Sequence, residues 1–189
     1  MLKNLPPILG HALQGLRPGM EKVLYHDPAL EAVPETLTLE SAAFDAPTLP
    51  QRFTADGKGL SPPFAWKGVP AGAISLLLVI EDADSPTPNP LVHAIVYDLP
   101  PSDDLLKEGA IGHLDKANPA HTGLNSFLGS SYLPPDPPPG HGPHRYVAQI
   151  YALNALSSFK GAPGRPQVRE LLHKHAIARG MICATYVRH

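Results

Sequence analysis

The stretch Ala73-Ile74-Ser75-Leu76-Leu77-Leu78-Val79-Ile80-Glu81, running on into Asp82-Ala83-Asp84-Ser85-Pro86, decides the fold. Side chains alternate along a strand, so Ile74, Leu76, Leu78 and Ile80 take one side and Leu77 and Val79 the other. A strand that is apolar on both sides is covered on both, which places it inside a sheet rather than on its edge. Val92 to Leu99 and Arg145 to Leu153 have the same character.

Outward from these strands the pattern stays mainly β. Thr36-Leu37-Thr38-Leu39 alternates like a half-buried strand, and Phe53-Thr54 predicts a short extended piece before the Asp56-Gly57 turn. Gln167 to Ala178 has Val168, Leu171, Leu172 and His175 at helical spacing, with Pro166 near its start and Gly180 just past its end, and a last strand is expected over Ile182 to Val187. Several strands without regular βα alternation predict an antiparallel β-sandwich with one C-terminal helix. Residues 36–189 form the main domain. Residues 1–35, with Ile8, Leu9, Leu13 and Leu16 spaced for one apolar helical face, read as an N-terminal extension that could dock on the domain or on a second copy, giving a homodimer. A loop from about Ser102 to Gly142 is long enough to hold short elements or to build a binding rim.

Composition narrows the function. The 24 prolines cluster at Ser61-Pro62-Pro63, Ser85-Pro86-Thr87-Pro88-Asn89-Pro90 and Pro134-Pro135-Asp136-Pro137-Pro138-Pro139. Proline removes a backbone donor and fixes φ, so these are ordered turns between strands. The net charge of −2, with no basic stripe interleaved with aromatics, argues against nucleic acid as partner. The single Cys183 excludes an internal disulfide and a cysteine-rich zinc site. Met1 to Pro7 carries no readable secretory signal, and the longest apolar run, Ile74 to Ile80, is too short to span a bilayer, so a cytoplasmic protein without membrane insertion is expected.

The chemistry gathers in three segments that end or begin strands: Glu81 to Pro86, Val92-His93-Ala94-Ile95-Val96-Tyr97, and Gly140-His141-Gly142-Pro143-His144-Arg145-Tyr146. Strict alternation puts His144 and Tyr146 on one face, His93 with Ile95 and Tyr97, and Asp82 with Ile80. If the strands are neighbours, an Asp, two His and a Tyr meet at one end of the sheet. Imidazole N–H groups and a phenol would then receive an anion, with Asp82 orienting one imidazole, while proline-loop carbonyls could meet an ammonium group. Neither His141 with His144 nor His173 with His175 has the i, i+4 spacing of a helical zinc site, so no metal is expected. Gly59-Leu60-Ser61-Pro62 is not a nucleophile elbow, and no phosphate-cradling glycine loop occurs. No cofactor is expected.

At these residues the chain resembles the phosphatidylethanolamine-binding protein family, also called Raf kinase inhibitor-like proteins, in its microbial branch. The matching stretches are Phe53-Thr54-Ala55-Asp56-Gly57, Ser61-Pro62-Pro63, Trp66, Gly68-Val69-Pro70, Asp82-Ala83-Asp84-Ser85-Pro86, His93, and Pro138 to Tyr146. The resemblance implies a large central sheet packed on a smaller one, and a pocket for phosphate, carboxylate or phospho-head groups. By motif that pocket would be lined by Asp82, Pro86, His93, His144 and Tyr146, with Asp84 beside it. Leu91 stands where animal members often have an aromatic, Ala83 replaces the middle proline of Asp-Pro-Asp, and Asp136 adds a carboxylate that would disfavour a dianion or favour a cationic group. The expected function is a non-enzymatic binding protein for a small anionic ligand whose affinity falls as pH rises and is abolished by His144→Ala. The resemblance also implies two alternatives: an enzyme using the same Asp/His pocket for acid–base chemistry on an anionic organic substrate, and an inhibitor of a kinase or protease acting by protein contact.

Overall fold

The computed structural model describes residues 6–46, 48–114 and 120–188. In chain order it forms α1 (Pro7–Leu13), β1 (Thr38–Glu40), β2 (Phe64–Lys67), β3 (Ser75–Asp82), β4 (Leu91–Leu99), β5 (Asp104–Leu106), β6 (His121–Thr122), β7 (His144–Leu153), α2 (Arg165–His175) and β8 (Ala176–Tyr186). The strands make a five-stranded sheet ordered β6-β4-β3-β7-β8 and a three-stranded sheet ordered β1-β2-β5. Every pairing is antiparallel.

β3 is buried from end to end, as its two-sided apolar pattern requires. Leu76, Leu78 and Ile80 join Ala94, Val96, Ala148 and Ile150 against Phe64 and Trp66 of the small sheet, which forms the core between the sheets. Leu77 and Val79 face the other way, with Val92, Ile95, Val147 and Tyr151, into a second core. That core is closed by Val168, Leu171 and Leu172 of α2 and by Val23, Leu24, Tyr25 and Leu30 from the N-terminal segment. Burying each such aliphatic side chain contributes about 1.5–3 kcal/mol. Residues 20–30 are therefore built into the main body, and the division expected at residue 35 marks no break in packing.

Some local expectations are corrected. Phe53 ends a 3-10 turn (Gln51–Phe53) instead of starting an extended piece. α2 stops at His175, and β8 begins at Ala176, six residues before the expected start, because Ala176 to Gly180 pair with Leu153 to Ile150 of β7. Gly180 is not a helix terminator. It lies within β8 where a Cβ would stand 2.0 Å from the Leu37 carbonyl oxygen, so only glycine lets the chain before β1 approach. The long stretch from Ser102 to Gly142 holds β5 and β6, and its residues 115–119 lie outside the described residues.

The β3–β4 register carries the feature that matters most for function. Ile80 pairs with Ala94, but the next residue, Glu81, pairs with Val92. His93 is the extra residue of this bulge, and a bulge turns a side chain away from strict alternation.

Candidate functional site

The bulge takes His93 off the face of Ile95 and Tyr97, where alternation had put it, and sets it beside Asp82 and His144. Those three side chains form part of the wall of a cavity of about 690 Å³. Pro86, Asp136, Ser85 and Lys58 also line it, and Leu91, Phe127, Leu133, Pro134 and Pro137 give it a mainly apolar surface.

His93 is buried and its Nδ1 lies 2.6 Å from the Leu133 carbonyl oxygen. A carbonyl only accepts, so Nδ1 carries the proton and donates. Leu133 N–H returns a bond to the His93 carbonyl at 2.8 Å, which fixes the proline loop to the bulge. The other ring nitrogen, Nε2, is buried with no hydrogen-bond partner among the described residues. Burial holds the His93 pKa below its usual value, against the opposing pull of Asp82 and the Leu133 carbonyl. The neutral ring thus keeps a lone pair on a buried Nε2, beside the cavity whose wall the His93 side chain helps to form.

His144 is held differently. Its Nδ1 lies 2.7 Å from Asp82 Oδ2, and its Nε2 lies 2.7 Å from His141 Nδ1. His141 Nε2 in turn donates to the Leu13 carbonyl at 2.8 Å. The remaining Asp82 oxygen accepts from the Asp84 N–H at 2.8 Å. Both His144 nitrogens are therefore engaged within the protein, and the N–H it was expected to offer a ligand points to His141.

The other candidates separate. Tyr146 does not line the cavity; its ring packs edge-on against His93 at 5.2 Å between centroids, and its buried hydroxyl has no partner among the described residues. Burial and the nearby Asp82 push the Tyr146 pKa well above its usual value. Asp84 is turned to the arginines: it accepts from Arg145 N at 2.9 Å, Nε at 2.7 Å and Nη2 at 2.7 Å, with Arg17 Nη1 at 3.3 Å. Burial opposes ionisation there, but the Arg145 bonds and the Arg17 charge outweigh it and hold the Asp84 pKa below the usual carboxylate value. Asp136 does line the cavity, but Arg188 Nη1 donates to it at 2.8 Å, and the same guanidinium also pairs with Asp56. The carboxylate that the sequence set against a dianion has a cation on it.

Four of the proline carbonyls around the site are likewise used internally. Pro135 O accepts from Ala55 N, Pro137 O from Arg188, Pro138 O from His141 N and Pro143 O from Arg17. Sequence reasoning missed Phe127, Leu133 and Lys58 as wall residues. Phe127 is presented by a turn in which Asn125 Oδ1 accepts from the N–H groups of Phe127 and Gly129, while Ser126 Oγ accepts from Val92 N. The Asn125-Ser126 pair ahead of an exposed Phe was a readable turn signal. Among the described residues no group of three His, Cys, Asp or Glu side chains is placed to hold a metal ion. No helix is long and apolar enough to cross a membrane, among the same residues.

Comparison with known proteins agrees with this architecture. A family profile described as phosphatidylethanolamine-binding protein matches residues 40–187. A UPF0098 protein of Methanothermobacter thermautotrophicus is 30% identical over 153 residues, 80% of this chain and 99% of the relative. A crystal structure of a phosphatidylethanolamine-binding protein homolog from Chlamydia trachomatis superposes with a TM-score of 0.72 at 33% identity, covering 82% of this chain and 99% of that one. The E. coli protein YbcL shares the fold, with a TM-score of 0.75 at 23% identity over 82% of this chain and 99% of its own.

Proposed function

The chain belongs to the phosphatidylethanolamine-binding protein family, and from that premise we propose that it binds a small organic acid, as a carboxylate or phospho-monoanion with an apolar body, together with one proton. The observation that carries this reading is the buried Nε2 of His93, without a hydrogen-bond partner among the described residues, beside a mainly apolar cavity that the His93 side chain helps to line. A neutral imidazole with Nδ1–H fixed on Leu133 can accept from the O–H of a protonated acid, or take up a proton and donate to the anion. Either route binds anion and proton as a pair. A volume of about 690 Å³ suits an organic body far larger than phosphate alone.

The proton link sets the sign of the pH dependence. Uptake of one proton makes affinity fall about tenfold per pH unit once His93 is neutral in the free protein, and level off below its titration. Calorimetry with benzoate across pH 5 to 8 should show that slope, and His93→Ala should remove both the slope and most of the affinity. Binding that is independent of pH, or unchanged in His93→Ala, would overturn the reading.

A second reading is favoured by the same lone pair. His93 Nε2, oriented through Nδ1 by a carbonyl and shielded by apolar walls, has the geometry of a general base for proton abstraction from an organic acid bound in the cavity. Exchange of a carbon-bound hydrogen of the bound acid for solvent deuterium, lost in His93→Ala, separates turnover from binding.

A further inference from the structure

The hydrogen-bonded row from Leu13 to Asp82 has a fixed proton count. The Leu13 carbonyl requires a proton on His141 Nε2, the contact of His141 Nδ1 with His144 Nε2 requires one, and that of His144 Nδ1 with Asp82 Oδ2 requires one. Two neutral imidazoles and an ionised carboxylate supply one fewer than these contacts need. Filling all three contacts therefore calls for an extra proton, which would cancel the charge of Asp82. Burial, His144 and Arg17 hold the His141 pKa down against the Leu13 carbonyl and Asp82, which disfavours the extra proton on His141 itself.

The end of the row belongs to the N-terminal segment, all of which lies ahead of the family match that begins at residue 40. That segment is closely fitted to the loop bearing His141. Gln14 Nε2 donates to Gly140 O at 2.8 Å, and Arg17 donates to His141 O at 2.5 Å and to Pro143 O at 2.7 Å. A Cβ at Gly10 would stand 1.9 Å from Pro139 O and 2.9 Å from His141 N. The other charged or titratable groups around the row are His11 against Gly140, Asp84 and Arg145 at the strand ends, His93 from β4 and Tyr146 from β7.

We propose that the N-terminal segment is a working part of the ligand site: while α1 is docked, the Leu13 carbonyl fixes His141, and His141 keeps the extra proton in the His144–Asp82 pair, so that an anion can enter beside Asp82 without meeting a net negative charge. His141 is thus a positioning residue, and undocking α1 lowers anion affinity. The ligand arm of this inference rests on the anion reading above; the proton count does not.

The test uses the full-length protein with 15N-labelled histidine. In the ligand-free wild type at pH 7, three of the four ring nitrogens of His141 and His144 should carry protons, or two with the third proton on the Asp82 side of its 2.7 Å contact and visible as a far-downfield proton resonance. Gly10→Ala places a methyl against Pro139 O while favouring the helix itself, so it strains docking specifically. It should lose the extra proton at pH 7 and bind benzoate at least about tenfold more weakly, as should His141→Leu. His141→Gln can still donate to Leu13 O and accept from His144, and should stay within about threefold of wild type. A wild-type row with only two protons and no downfield resonance overturns the proposal. So does a folded Gly10→Ala or His141→Leu variant that keeps the extra proton. Absence of benzoate binding to wild type with the proton count as stated refutes the anion reading alone.

Discussion

Glu81 and Asp82 are consecutive carboxylates on β3 that point to opposite faces, so Glu81→Gln should damage stability and leave the pocket chemistry alone. Glu81 is fully buried and accepts three bonds: from Arg165 Nε at 2.6 Å on Oε1, and from Gln149 Nε2 and Leu24 N at 2.8 Å each on Oε2. A glutamine must turn its NH2 toward one set of donors. The cheaper choice faces Arg165, whose side chain is 22% exposed and can recover water, while the amide oxygen keeps Gln149 and Leu24. Losing one bond to a charged group costs about 1.5–3 kcal/mol, and the two retained bonds lose their charge assistance, so a net loss of about 2–3 kcal/mol is expected. For a chain of this length that lowers Tm by roughly 4–12 °C. Urea unfolding followed by Trp66 fluorescence should show a lower midpoint with an unchanged slope, and hydrogen exchange at Leu24 should accelerate. A Glu81→Gln protein within about 0.5 kcal/mol of wild type would refute the assignment of Glu81 as the anchor of α2 and residues 20–30 on the sheet.

Asp27 should set part of the acid limit. Burial raises its pKa, but bonds from Arg169, His173 and Ala29 N outweigh this and bring it down to about 2. Because the folded value is depressed, its contribution is present above the unfolded value of 3.8 and is lost as pH falls toward 2. Asp27→Asn should flatten stability against pH in that window by at most about 2 kcal/mol, less for screening at the half-exposed Arg169. Gly180→Ala should cost at least about 2 kcal/mol in chemical unfolding, because backbone on both sides of the 2.0 Å approach must move. Phe127 is 67% exposed, so Phe127→Ser should change stability by no more than about 0.5 kcal/mol. It should still weaken benzoate several-fold relative to acetate in parallel calorimetry, by removing about 1 kcal/mol of apolar contact.

The sheet was legible because its central strands are apolar on both faces, a pattern that only a covered strand needs; β3, β4 and β7 fall close to where Ala73 to Glu81, Val92 to Leu99 and Arg145 to Leu153 put them. The end of α2 was not legible. Gly180 after a helical pattern reads as a terminator, and nothing local reveals that Leu37 needs the space. The meeting of Asp82 and His144 followed from neighbouring strands, whereas the meeting with His93 depends on a bulge. Alternation alone sends His93 to the face of Ile95, and only the pairing of Glu81 with Val92 reveals the extra residue. The roles of Asp84 and Asp136 were hidden for a different reason: their partners Arg17, Arg145 and Arg188 lie far off in sequence or carry no motif of their own.

The end of β3 ties these observations together, since successive residues there engage the N-terminal segment from different faces. Glu81 accepts from Leu24 N, Ala83 O accepts from Gly19 N, Asp84 pairs with Arg17, and Asp82 reaches Leu13 through His144 and His141. Alternation along a strand makes this possible, because adjacent side chains can reach a segment that wraps past the strand end on both sides. A load on any one of these ties is shared by the others through rigid backbone. Release of Leu13 from His141 therefore has two distinguishable routes. Steric lifting at Gly10 acts on Leu13 first, with Leu24 still protected by Glu81. Loss of Glu81 acts on Leu24 first, and reaches the pocket only when residues 19 and 17 also let go. Hydrogen exchange at Leu24, set beside the proton count of the histidine row, orders the two events.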